Sequence, residues 1–220
     1  MQLLANKYFI GIDPSITNTA VCILNIRGEI ADVYNYKLDE EPLSKEILGY
    51  TWLRLGHIKE FVIQSIHKTI PVDTKRIHIC YEDYSFDSTN KAFTTGELGG
   101  VLKLGLTEEF CQPLLIEPKV LKKFATNCGD STKKEIINQA LLESEFLSKI
   151  PKDKLTDDIC DAYFLAKMGW YLNSPKEAQN HEVNRENLRR RLEYILELKE
   201  RKINNDRKRK SCSRRKRRTK

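Results

Sequence analysis

The sequence predicts an α/β domain with a mixed sheet and helices on its faces. Three observations predict it. The chain opens on three β-like segments, the last two joined by a tight turn, and then alternates short apolar runs with amphipathic ones, in the order β-β-β-α-β-α-β-α-α. Its 220 residues suffice for one sizeable core, or for one domain plus an appendage.

The elements follow in chain order. Lys7–Asp13, Thr19–Ile26 and Glu29–Lys37 read as strands, with "RGE" around Gly28 turning the second into the third. From Ser44 to about Lys68, residues Ile47, Trp52, Leu55, Ile58, Val62, Ile63 and Ile66 recur at near-helical spacing, which predicts an amphipathic helix packed on that sheet. "RIHICYEDY" alternates Ile77, Ile79 and Tyr81 with His78 and Cys80 and closes on Glu82. Thr94–Phe110 reads as a helix whose Gly96, Gly99, Gly100 and Gly105 would permit close packing on the sheet. "PLLIE" is a short strand, and Pro118 suits the first position of the helix "PKVLKKFA". Ser131 is the expected N-cap of "TKKEIINQALLESEF", with Ile136, Ile137, Ala140 and Leu141 on the buried face, and Thr156 that of "DDICDAYFLAKMGWYL". Beyond Asn173-Ser174-Pro175, a narrow stripe of Leu188, Leu192, Ile195 and Leu196 among dense charges predicts a charged appendage helix.

Composition narrows the function classes. The apolar runs are far shorter than the ~20 residues of a membrane span. "MQLLANKYF" lacks the basic and apolar regions of a secretory signal, so the expected location is cytoplasmic. The six cysteines are scattered, with no C-x-x-C pair, and read as reduced, mostly buried thiols. Charge is unevenly divided. From Lys199 to Lys220 there are 13 Lys and Arg against 2 Asp and Glu, a net of +11, and the rest of the chain carries a net of −4. That block is expected to be disordered and to bind a polyanion such as nucleic acid, with Arg214, Arg215 and Lys216 among its DNA contacts. A solvated tail and a nuclear-targeting signal in a eukaryotic host would look the same.

Apolar runs that end on carboxylates carry the chemistry. Asp13 ends the first strand and Glu82 the fourth; if these strands are parallel neighbours, both acids emerge at one sheet edge, where open α/β sheets place ligands. Asp158 and Asp161 lie three apart on one helix face. Four such acids repel one another, and oxygen-only ligands favour Mg²⁺ or Mn²⁺. Two such ions ~4 Å apart would serve phosphodiester hydrolysis. Singly, each acid also fits a turn, an ion pair or a helix N-terminus. Lys122 and Lys133 begin helices on either side of "ATNCGDST", placed to meet phosphates or simply solvent. Tyr84 and Phe86 follow Glu82 and would stack on unpaired bases or join the core.

With "GIDPS", "YEDYSF", "GELGGVLKLGL", "EPKVLKKFATNCGDSTKKEI" and "DDICDAYFLA" in this order, the chain from Tyr8 to about Leu172 resembles the RuvC-type Holliday junction resolvases of the RNase H-like superfamily. The resemblance implies an RNase H-like mixed five-stranded sheet flanked by helices over residues 1–174. It also implies a homodimer that nicks four-way DNA junctions symmetrically, using Mg²⁺ or Mn²⁺ held by Asp13, Glu82, Asp158 and Asp161. The family's two DNA-contacting lysines fall on Lys122 and Lys133, and its stacking aromatic on Tyr84 or Phe86. Residues 175–220, a charged helix and basic tail, exceed the compact bacterial enzymes and suggest a viral or phage version. Rival readings are a nuclease for forks, flaps or RNA–DNA hybrids, an actin-like ATPase, for which the chain has length for only one domain, and a non-catalytic nucleic-acid-binding protein.

Overall fold

The structure, a computed structural model, describes residues 7–38, 51–71, 74, 76–83, 92–182 and 184–200. Five strands, β1 (Lys7–Asp13), β2 (Ala20–Leu24), β3 (Ile30–Asn35), β4 (Arg76–Glu82) and β5 (Leu114–Ile116), form one sheet in the order β3-β2-β1-β4-β5. The meander β1-β2-β3 is antiparallel, whereas β4 joins β1 in parallel and β5 joins β4 in parallel, so the sheet is mixed. The helices are α1 (Thr51–Thr69), α2 (Ala92–Glu109), α3 (Pro118–Thr126), α4 (Lys133–Glu143), α5 (Glu145–Ser148), α6 (Asp157–Asn173), α7 (Pro175–His181) and α8 (residues 185–200).

Alternation along the central strands sends opposite side chains to two cores. Ile10, Ile12, Val21, Ile23, Ile79 and Tyr81 pack under α1 and α2 with Leu55, Ile58, Val62, Leu98 and Leu102. Phe9, Cys22, Leu24 and Cys80 face α6 and, around it, α3, α4 and α8. A sheet covered on both faces needs continuous apolar strands, and β2 is buried at all five positions. Among the described residues no helix is long and apolar enough to cross a membrane.

Four sequence expectations change. The N-cap of α4 is Thr132, not Ser131: Thr132 and Glu135 form a reciprocal capping box, while Ser131 is buried and hydrogen-bonded to the Cys128 carbonyl at 2.9 Å. The helix expected through Phe146 breaks at Ser144, whose hydroxyl accepts from the Leu147 amide at 3.2 Å and starts α5. Among the described residues a Cβ at Gly96 or Gly100 would meet nothing, whereas one at Gly105 would meet the Lys59 stem and Ile63 on α1. Finally, α8 is no solvated appendage, because Leu188, Tyr194 and Ile195 join the α6 core and Arg191 is wholly buried. The part of the first expected helix before Thr51 lies outside the described residues.

Candidate active site

The register of the parallel pair builds the site. Ile12 stands beside Tyr81, so Asp13 and Glu82 are the next residues of two adjacent strands, at the same edge. Both have the parity of Phe9 and Cys80, which directs them to the α6 face. Helix α6 starts at the same edge, with Thr156 accepting from the Ile159 amide as N-cap, and Asp161 lies one turn in.

Gly11 sets how closely these elements meet. A Cβ built there would overlap the Ala162 carbonyl oxygen and the Ala166 amide, and would come within 2.9 Å of Leu165 Cβ. Only glycine lets the α6 backbone lie directly on β1. Carboxylate oxygens of Asp13, Glu82 and Asp161 consequently lie within 4.8 Å of one another.

Asp13 is 9 % exposed, and burial pushes its carboxyl well above the usual range, with Glu82, Asp161 and Asp158 pushing in the same direction. Burial also raises Glu82, against the opposing pull of an Asp13 hydrogen bond and of Lys122 and Lys133. Asp161 is pushed up to about 8, first by burial and then by the charges of Glu82, Asp157 and Asp158. Among the described residues none of these three acids is ion-paired with lysine or arginine. A compact, buried, oxygen-only set with unbalanced negative charge fits a hard divalent cation.

Asp158 stands beside this trio. The Asn18 carboxamide donates to it, and its own carboxyl is raised by burial and by Asp157, with Asn18 and Lys133 pulling down. Lys133 is exposed and paired with Asp157, and its ammonium is held charged by that partner. Lys122, on α3, is half-buried and close enough to act on both Glu82 and Asp161. Tyr84, Phe86, Arg214, Arg215 and Lys216 lie outside the described residues. Sequence reasoning missed Gly11 and Asn18. A glycine inside an apolar strand was the available signal for the first; nothing local marks the second, whose partner is 140 residues away.

Two solved structures of RuvC from Thermus thermophilus share this fold. The chain matches one at 18% identity and a TM-score of 0.53, covering 74% of this chain and 94% of that one. It matches a second, RuvC in complex with a Holliday junction substrate, at 16% identity and a TM-score of 0.52, covering 73% and 90%. No protein-family model and no curated protein matches the sequence. The fold is RNase H-like, of the RuvC type.

Proposed function

We propose that the protein is a metal-dependent endonuclease that resolves four-way DNA junctions by nicking opposed strands. The observation that carries this reading is the convergence of Asp13, Glu82 and Asp161 within 4.8 Å at one edge of a RuvC-type sheet. A neighbour of the same fold was solved with a Holliday junction, which supports the choice of substrate.

Asp13, Glu82 and Asp161, with Asp158 beside them, would hold Mg²⁺ or Mn²⁺, as one ion or two. When bound, such ions supply an activated water and stabilise the departing 3′ oxygen. The chain does the rest. Its fixed carboxylates orient the site without rearrangement, and Lys122, midway along α3 and not at its start as the sequence suggested, and Lys133, the first residue of α4, draw phosphates towards the same edge. Two symmetric nicks call for two sites related by a two-fold axis, hence a homodimer. The basic stretch after residue 200 adds a sequence-independent hold on DNA.

The test is cleavage of an immobile four-way junction beside matched duplex, fork and RNA–DNA hybrid, with Mg²⁺, Mn²⁺ or EDTA. Wild type, Asp13→Asn and a chain ending at residue 200 are compared. Paired nicks in the junction alone are expected, lost in EDTA and in Asp13→Asn, while Asp13→Asn still binds the junction and melts no lower than wild type without metal, because one buried repelling charge is gone. The shortened chain should bind more weakly and less salt-dependently, yet still cut at low salt. Cleavage chiefly of fork or hybrid would overturn the substrate, and binding with no metal-dependent cleavage would overturn the enzyme.

A further inference from the structure

Asn18 lies in the connection between β1 and β2, and hydroxyl groups hold that connection in place. The Ser15 amide donates to Thr19 Oγ1 at 3.0 Å, the Thr19 hydroxyl donates back to the Ser15 carbonyl at 2.5 Å, and Thr19 is fully buried. Asn18 therefore starts from a fixed backbone, and its Nδ2 donates to Asp158 Oδ2. The other half of the same carboxamide, Oδ1, is buried and meets no hydrogen-bond partner among the described residues. Buried acceptors rarely go unmet in folded proteins.

Neighbouring acids are treated differently. Asp157 receives a lysine, Lys133, which cancels its charge. Asp158 receives a neutral amide, which fixes its orientation and leaves its charge intact. Neutral donors that orient carboxylates next to a cation are a recurrent way of tuning such sites.

We propose that Asn18 is a positioning residue for the cation site: its amide sets Asp158 as the fourth carboxylate beside Asp13, Glu82 and Asp161, and its Oδ1 accepts from water that hydrates the cation. This rests on the metal-dependent reading above. It adds a residue that none of the acid motifs contains.

The experiment is calorimetric titration of the full chain, without DNA, with Mn²⁺. Wild type, Asn18→Leu, Asp158→Ala and the double variant form a cycle, and melting without metal is recorded for each. Asn18→Leu is expected to weaken Mn²⁺ binding about tenfold with its metal-free melting unchanged. In the Asp158→Ala background the same substitution should weaken binding much less, by the share that Oδ1 carries through water alone, and Asn18→Gln, which keeps the donor, should recover part of the loss. Wild-type affinity in Asn18→Leu, or an equal loss in both backgrounds, would overturn the proposal. Should Asn18→Leu fail to fold, Asn18→Ser, with a shorter polar side chain, reads the same loss. A wild-type chain that binds no Mn²⁺ would instead sink the metal reading itself.

Discussion

Gly11 occupies the one position on β1 where a single methyl group decides whether the carboxylates meet. Asp13 is two residues further along the same strand and Asp161 adjoins Ala162, the residue whose carbonyl a Gly11 side chain would strike. Backbone, unlike a flexible side chain, has little room to yield, so α6 must move off the sheet or the strand must buckle. Overpacking of this kind costs about 3 kcal/mol, and here it would also separate Asp161 from Asp13 and Glu82. Gly11→Ala is expected to lower the melting temperature and to weaken Mn²⁺ binding together, whereas an ordinary core substitution in β2 would lower melting alone. Unchanged metal affinity in a destabilised but folded Gly11→Ala chain would show that the close approach matters to stability and not to the site.

At the scale of elements, α8 holds the far side of the same assembly. Arg191 makes a bidentate pair with Glu143 on α4 (2.7 and 2.6 Å), and its Nε and Nη2 donate to the Phe124 and Ala125 carbonyls at the end of α3 at 3.1 and 3.2 Å. Lys167 on α6 bonds Glu143 at 2.6 Å and Glu182 at 2.8 Å, so four helices and the connection after α7 share one buried ionic cluster. Burial by itself would raise the Glu143 carboxyl, but the Arg191 and Lys167 charges outweigh it and hold it at about 2. A carboxyl lowered on folding stabilises the native state above its unfolded value and loses that contribution as pH falls towards its folded one. Glu143→Gln should therefore cost about 3 kcal/mol at neutral pH, and denaturant melts should show the gap from wild type closing between pH 4.5 and 2. A gap independent of pH would mean that the pair contributes by packing and not by charge. This cluster was not legible in the sequence, because Lys167 on α6 and Arg191 on α8 look solvent-facing until their shared partner Glu143, 24 and 48 residues away, is known. Strand ends were legible, since an apolar run closing on Asp13 or Glu82 is a local signal. The cap of α4 carried a local signal that the expectation of Ser131 passed over: Glu135 stands three residues after Thr132, the capping-box spacing.

For the whole molecule, the question is where a second copy would sit. The two faces of the sheet differ: one is closed by α6 and its neighbours around the acids, and the other by α1 and α2. Leu98, Leu102 and Leu106 turn α2 inward, which leaves Phe93, Gly96, Gly100 and Leu104 along its outer face. Phe93 is 91% exposed and Leu104 61%, and a Cβ at either glycine would meet nothing among the described residues. Large apolar groups flanking a shallow, side-chain-free strip suit an opposing helix, and a two-fold axis through that strip would pair each Phe93 and Leu104 with its symmetry mates. Gly96 and Gly100, expected to seat α2 on its own sheet, thus face outward, where they would let an opposing helix come close. Leu104→Glu is expected to convert a dimer to a monomer in sedimentation velocity, while Mn²⁺ affinity per chain stays as in wild type because the acids lie on the other face. Junction cleavage should then lose its pairing and fall to isolated nicks. A variant that stays dimeric would exclude this face as the interface, and a monomeric wild type still giving paired nicks would remove the need for one.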